Sequence, residues 1–146
     1  PVGVFEKSAI LSFNVNANHD TNSILDSTKI GATSDLNCRT IKKETIHVVS
    51  LDEYCSSKNI NEIDVVTIDT QGSELAILKG MKNLLSNKKI KLIYSETYFK
   101  QQYLNQPLLF DIAIYLQQYG YFIQDMYDPF YNDKLILWCD TIFIPE

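Results

Sequence analysis

The chain has 146 residues, enough for one domain with a core of its own. Its 45% hydrophobic content is ordinary for a folded domain, and a formal net charge of −5 disfavours nucleic-acid binding through a basic face. No apolar run approaches the length of a membrane span, no leader peptide is visible, and the separation of His19 and His47 gives no metal-ligand spacing.

Residues 1–16 read as extended, with Ala9 to Val15 alternating apolar and polar side chains. Residues 16–40 are rich in Asn, Ser, Thr and Asp and read as a long loop. Thr45 to Val49 is a predicted strand. Ser50 then caps a short helix, and Glu53 three residues on completes a capping box. Asn59 to Asn61 ends that segment with turn residues.

Ile63 to Ile68 is apolar and β-branched, the pattern of a strand buried on both faces of a parallel sheet. It ends in Asp69 and the turn Thr70-Gln71-Gly72-Ser73. Leu75, Leu78, Met81 and Leu85 then recur at helical spacing. Ile90 to Glu96 is a second such strand, again ending in a carboxylate. A helix follows Pro107 and stops at Gly120. Tyr121 to Ile123 and Leu135 to Trp138 read as strands around a polar loop, Asp128 to Asp133. Asp140 to Ile144 is the last strand or continues the one before it.

The β-α-β-α order with buried strands predicts a three-layer α/β/α sandwich of Rossmann-like type, mostly parallel, closed by an antiparallel hairpin. The whole chain, residues 1–146, reads as a single domain. Cys38, Cys55 and Cys139 lack CxxC spacing, so a reducing cytoplasm is the expected setting and Cys139 is expected to be buried. Lys88, Lys89 and Lys91 form the one dense basic cluster and read as a solvated loop.

In open α/β sheets, ligands sit beyond the carboxyl ends of the strands. Asp69 is therefore the first candidate for chemistry, as a general base or, on the plainer view, as a helix-start carboxylate. Glu96 ends the neighbouring strand and is expected to share a cleft with it. Two carboxylates there could hold a divalent cation or share a proton. Gly72 reads as a turn glycine and Glu74 as a first-turn acid that favours the helix dipole. Tyr94, Tyr98, Phe99 and Tyr103 could wall an acceptor pocket or simply fill the core.

The run from Asp64 to Gly80 resembles the signature of the FkbM-type S-adenosylmethionine-dependent methyltransferases. Asp64, Asp69, Gln71, Gly72, Glu74, Leu78 and Gly80 match that pattern, and Thr67 stands where the family usually has Lys. Val48 to Tyr54, Glu96 and Leu137 to Ile144 resemble further elements of the family in the same order. The resemblance implies a class I methyltransferase domain using S-adenosylmethionine. It implies O-methylation of a small-molecule or glycan hydroxyl, with Asp69 and Glu96 catalytic and Gln71, Gly72 and Glu74 near the donor.

The five glycines, Gly3, Gly31, Gly72, Gly80 and Gly120, form no GxGxG cluster. By the resemblance, the chain corresponds to the C-terminal two-thirds of the domain, with the first strands and their Gly-rich turn outside it. Pro1 at the start, in place of Met, fits removal of an initiator Met or a piece of a longer protein equally, and the resemblance favours the second. An open sheet edge would then invite a homodimer. Two rival functions remain at this stage: a degenerate domain with a binding or assembly role, and a carboxylate-based phosphohydrolase.

Overall fold

A computed structural model describes residues 2–29 and 37–146. Pro1 and Gly31, and part of the expected 16–40 loop, lie outside the described residues. Strands β1 (Gly3–Val4), β2 (Ala9–Asn16) and β3 (Thr40–Val49) form one sheet in the order β1-β3-β2. Helix α1 (Leu51–Lys58) leads to β4 (Ile63–Ile68), α2 (Glu74–Lys79), α3 (Lys82–Ser86), β5 (Ile90–Tyr98) and α4 (Leu109–Gln117). Strands β6 (Tyr121–Asn132) and β7 (Leu135–Pro145) complete a second sheet, ordered β4-β5-β7-β6.

This corrects the expected mostly parallel three-layer Rossmann-like sandwich. The structure has two mixed sheets, with 44% strand against 23% helix. β1 with β3 and β4 with β5 pair in parallel, whereas β2–β3, β5–β7 and β6–β7 are antiparallel. The physical reason lies in the chain's last turn. Asn132 and Leu135 are paired, so the connection is a tight turn at Asp133 and Lys134, which forces β7 to run against β6. β7 then inserts beside β5 and separates it from β6. The predicted loop Asp128 to Asp133 is mostly strand, because β6 continues to Asn132.

The capping box forms as read. Ser50 Oγ accepts from the Glu53 amide, and the Glu53 carboxylate accepts from the Ser50 amide. Asn59 closes the helix in the left-handed region, at φ 56°. Leu78, Met81 and Leu85 are fully buried, as their spacing predicts. The helical run breaks into α2 and α3 around Gly80, and there the glycine is required by proximity. A β-carbon on Gly80 would lie 2.2 Å from the Phe5 carbonyl oxygen, where the strand linker crosses the helix end.

Helices α2, α3 and α4 share one core with Ile68, Ile93 and Phe143 of the four-stranded sheet. The other face of that sheet is half-open. The prediction that Ile63 to Ile68 is buried on both faces is thus not met: Val65 is 55% exposed, and β4 is an edge strand of its sheet. Cys139 is buried, as expected. The basic cluster is engaged by its own chain: Lys89 pairs with Glu62, Lys91 with Asp64, and Lys88 donates to the Gly120 carbonyl. No helix among the described residues is long and apolar enough to cross a membrane.

Candidate active site

The turn between β4 and α2 is built around a buried carboxyl group. Glu74 is fully buried, and its Oε1 accepts from the Thr70 amide (3.2 Å), the Thr70 hydroxyl (3.2 Å) and the Gly72 amide (2.9 Å). Those bonds satisfy donors of the turn that leads into the helix. Burial pushes the Glu74 carboxyl above the usual range, against the pull of the same bonds. Gln71 and Gly72 both take positive φ, 54° and 106°. A β-carbon on Gly72 would meet Leu25 Cδ1 at 2.9 Å, with Gln106 and Tyr103 also close. The expected donor-side trio Gln71, Gly72 and Glu74 therefore lies together, with Gly72 and Glu74 enclosed by the chain itself.

The positive φ turns the Gln71 side chain toward both strand-end carboxylates. Its Nε2 donates to Asp69 Oδ1 and to Glu96 Oε2, each at 2.8 Å. Its Oε1 accepts from the hydroxyls of Tyr98 at 3.0 Å and Tyr103 at 3.2 Å. The Ser23 hydroxyl donates to the Gln71 carbonyl at 2.7 Å and ties the first sheet's loop to the turn. Asp69 and Glu96 are thus joined through one amide.

Glu96 is the most perturbed acid that remains partly open. Burial raises its carboxyl to about 7. The Tyr98 hydroxyl donates to Glu96 Oε2 and opposes the rise, while the charges of Asp69, Glu74 and Asp140 add to it. Burial and the Glu96 charge together push the Tyr98 hydroxyl far up. Tyr98 has one proton and two acceptors, Glu96 and Gln71. Protonation of Glu96 would let that hydroxyl turn to Gln71 without moving heavy atoms.

Asp140 belongs to the same group and was missed in the sequence. It lies directly opposite Glu96 in the β5–β7 register. The Tyr94 hydroxyl donates to Asp140, and that bond, with burial and the carboxylate charge, pushes Tyr94 up to about 12. The signal was available: Asp140 is the lone charged residue in the apolar run from Leu135 to Ile144. Phe99 packs instead against the core. Among the described residues no group of three His, Cys, Asp or Glu is placed to hold a metal ion.

A cavity of about 400 Å³ opens along the unpaired edge of β4. Val4, Leu51, Val65, Thr67, Thr70 and Met81 are among its lining residues, and neither Asp69 nor Glu96 is. Thr67, in the place of the family's usual Lys, therefore faces apolar space. The cavity adjoins the turn that carries the carboxylates through Thr70.

The family model described as methyltransferase FkbM domain matches residues 3–123. The chain belongs to that family. No curated protein and no solved structure matches it.

Proposed function

From its place in the FkbM methyltransferase family, we propose that this domain serves O-methylation of a sugar or other small-metabolite hydroxyl with S-adenosylmethionine as donor. The observation that carries the reading is the Gln71 bridge, which holds Asp69 and Glu96 at the carboxyl ends of adjacent parallel strands. A bound donor supplies a methyl group on a positively charged sulfonium. The residues present fit that charge, since Asp69, Glu96 and Asp140 are all acidic and Glu74 lies behind them. They do not offer a glycine cradle, because the space beside Gly72 is filled by Leu25, Gln106 and Tyr103.

Glu96 acts as the base. It takes the proton of the acceptor hydroxyl as the oxygen forms its bond to the methyl carbon and the sulfur–methyl bond breaks. A carboxyl near 7 is matched to that duty at neutral pH. Tyr98 and Gln71 occupy Oε2, so Oε1 is the oxygen that meets the acceptor. Asp69 is exposed and accepts from a hydroxyl of the donor or acceptor. Gln71, Gly72 and Glu74 act through the turn: they fix where Asp69 points. In-line transfer depends mostly on such positioning. The three buried free cysteines fit a reducing cytoplasm.

Calorimetric titration with S-adenosylmethionine, followed by transfer of labelled methyl to a hydroxyl panel, tests this. Glu96→Gln is expected to lower the turnover about 10²–10⁴-fold. Full activity in that variant would remove Glu96 from the chemistry. A second reading, a binding or assembly role, is favoured by the unpaired β4 edge over an apolar cavity. Concentration-dependent dimerisation without donor binding would select it.

A further inference from the structure

The open face of the four-stranded sheet carries an ordered array next to Glu96. Cross-strand register places Tyr98 of β5 opposite Trp138 of β7, and Trp138 opposite Phe130 of β6. The adjacent row is Glu96, Asp140 and Tyr127. Directly opposed residues project to the same face. An aromatic row thus runs beside an acidic one, and Tyr98 links them through its bond to Glu96.

Phe130 joins this row through a local register shift, which the next pair, Tyr131 with Ile136, cancels. Tyr127 opposes Asp140 and Phe130 opposes Trp138, so three steps on β6 match two on β7. The shift falls at Asp128 and Pro129, with Asp128 at φ 47°. Without it Pro129 would face Trp138, and Phe130 would turn to the other side. With it, Phe130 stacks on Trp138 at 3.9 Å between ring centroids and 10° between planes. Trp138 in turn lies 6.1 Å from the Tyr98 ring. Phe130 keeps 46% of its surface exposed, so the ring is open to a ligand.

Resting on the methyl-transfer reading above, we propose that this array is the acceptor subsite and that its occupant is a neutral, polyhydroxylated ring, a glycoside. The ring's C–H face lies on the exposed side of Phe130, whose other face is backed by Trp138, and dispersion and apolar contact hold it there. Its hydroxyls donate to Glu96 and Asp140. None of these six residues is cationic, so a phosphate or carboxylate on the ligand meets only like charge. An ammonium ligand would need ring faces turned around one point. Trp138 and Phe130 spend those faces on each other. The glycoside hydroxyl nearest Glu96 is the one set for methylation.

Trp138 is the only tryptophan of the chain, so intrinsic fluorescence reports directly on this row. The experiment titrates the full chain, without methyl donor, with the methyl glycosides of glucose, galactose, mannose and rhamnose. Choline and glucose 6-phosphate serve as the cationic and anionic probes. A saturable change is expected with at least one glycoside, at a Kd of about millimolar order. Phe130→Ala is expected to weaken it about fivefold, and Phe130→Tyr to restore it. Phe130→Leu, which keeps apolar bulk, decides the matter if the alanine variant does not fold, and is expected to weaken binding as well.

No saturable response to any glycoside, tighter binding of choline or glucose 6-phosphate, or unchanged affinity in a folded Phe130 variant would each overturn the proposal. The two readings fail separately. Methyl transfer without glycoside binding sinks only the subsite. Glycoside binding without any affinity for S-adenosylmethionine sinks only the methyl-transfer reading.

Discussion

The two faces of the four-stranded sheet divide its labour. Along β5, Ile93, Ser95 and Thr97 point one way and are fully buried, while Tyr94 and Glu96 between them remain half-open. On β7, Cys139, Thr141 and Phe143 are buried and Trp138, Asp140 and Ile142 are not. The helix-covered face joins Ile68, Ile93 and Phe143 to the helices and supplies cohesion. The open face gathers carboxylates and tyrosines, which would be costly to bury without partners. Strand alternation lets one backbone hold both sets one residue apart. The open-face residues of β5 and β7 take their geometry from the same strands that stabilise the fold.

Breaking the covered face gives the largest expected effect. Phe143→Ala empties a fully buried site and is expected to cost about 3–5 kcal/mol in urea unfolding. A cost below about 1 kcal/mol would mean that this face is not the main core. Next comes the turn that carries the site. Gly72→Ala must hold alanine at φ 106° with a β-carbon 2.9 Å from Leu25, and is expected to cost about 1–3 kcal/mol. Donor or acceptor affinity should fall with it; unchanged affinity would separate the turn from the site.

The acid on the open face gives a smaller, pH-dependent effect. Glu96 titrates near 7 when folded, against 4.5 for an ordinary glutamate. A carboxyl raised on folding favours the folded state most below its unfolded value, and that contribution is lost as pH rises from about 4.5 through 7. Glu96→Gln, which cannot ionise, should therefore raise Tm over the parent chain at pH 8 more than at pH 5. Equal gains at both pH values would contradict the upward shift. Phe130→Ala, on the open face, is expected to cost only about 1 kcal/mol, the scale of the lost ring pair. A loss comparable to Phe143→Ala would erase the distinction between the two faces.

Much of the site was legible because it is local. Asp69, Gln71, Gly72 and Glu74 lie within six residues of chain, and backbone geometry alone brings them to one turn. Glu96 followed from the rule that parallel strands end together. Asp140 and the register shift at Asp128 did not follow, since both depend on which strand β7 chooses as its neighbour. The same choice overturned the predicted fold. Apolar runs announce strands, but β4 reads as doubly buried while Val65 is largely exposed, because composition does not say what covers a face.

The sequence by itself determined the elements with local causes: the capping box at Ser50 and Glu53, the stripe Leu78, Met81 and Leu85, the β4 turn, and the family signature. These rest on contacts between residues a few positions apart, which spacing encodes. Tertiary structure decided the rest. It set β7 between β5 and β6, turned Gln71 into the link between two carboxylates, and brought Phe130 onto Trp138 through a local register shift. Those outcomes depend on long-range register, where a shift of one residue reverses the face that every side chain presents.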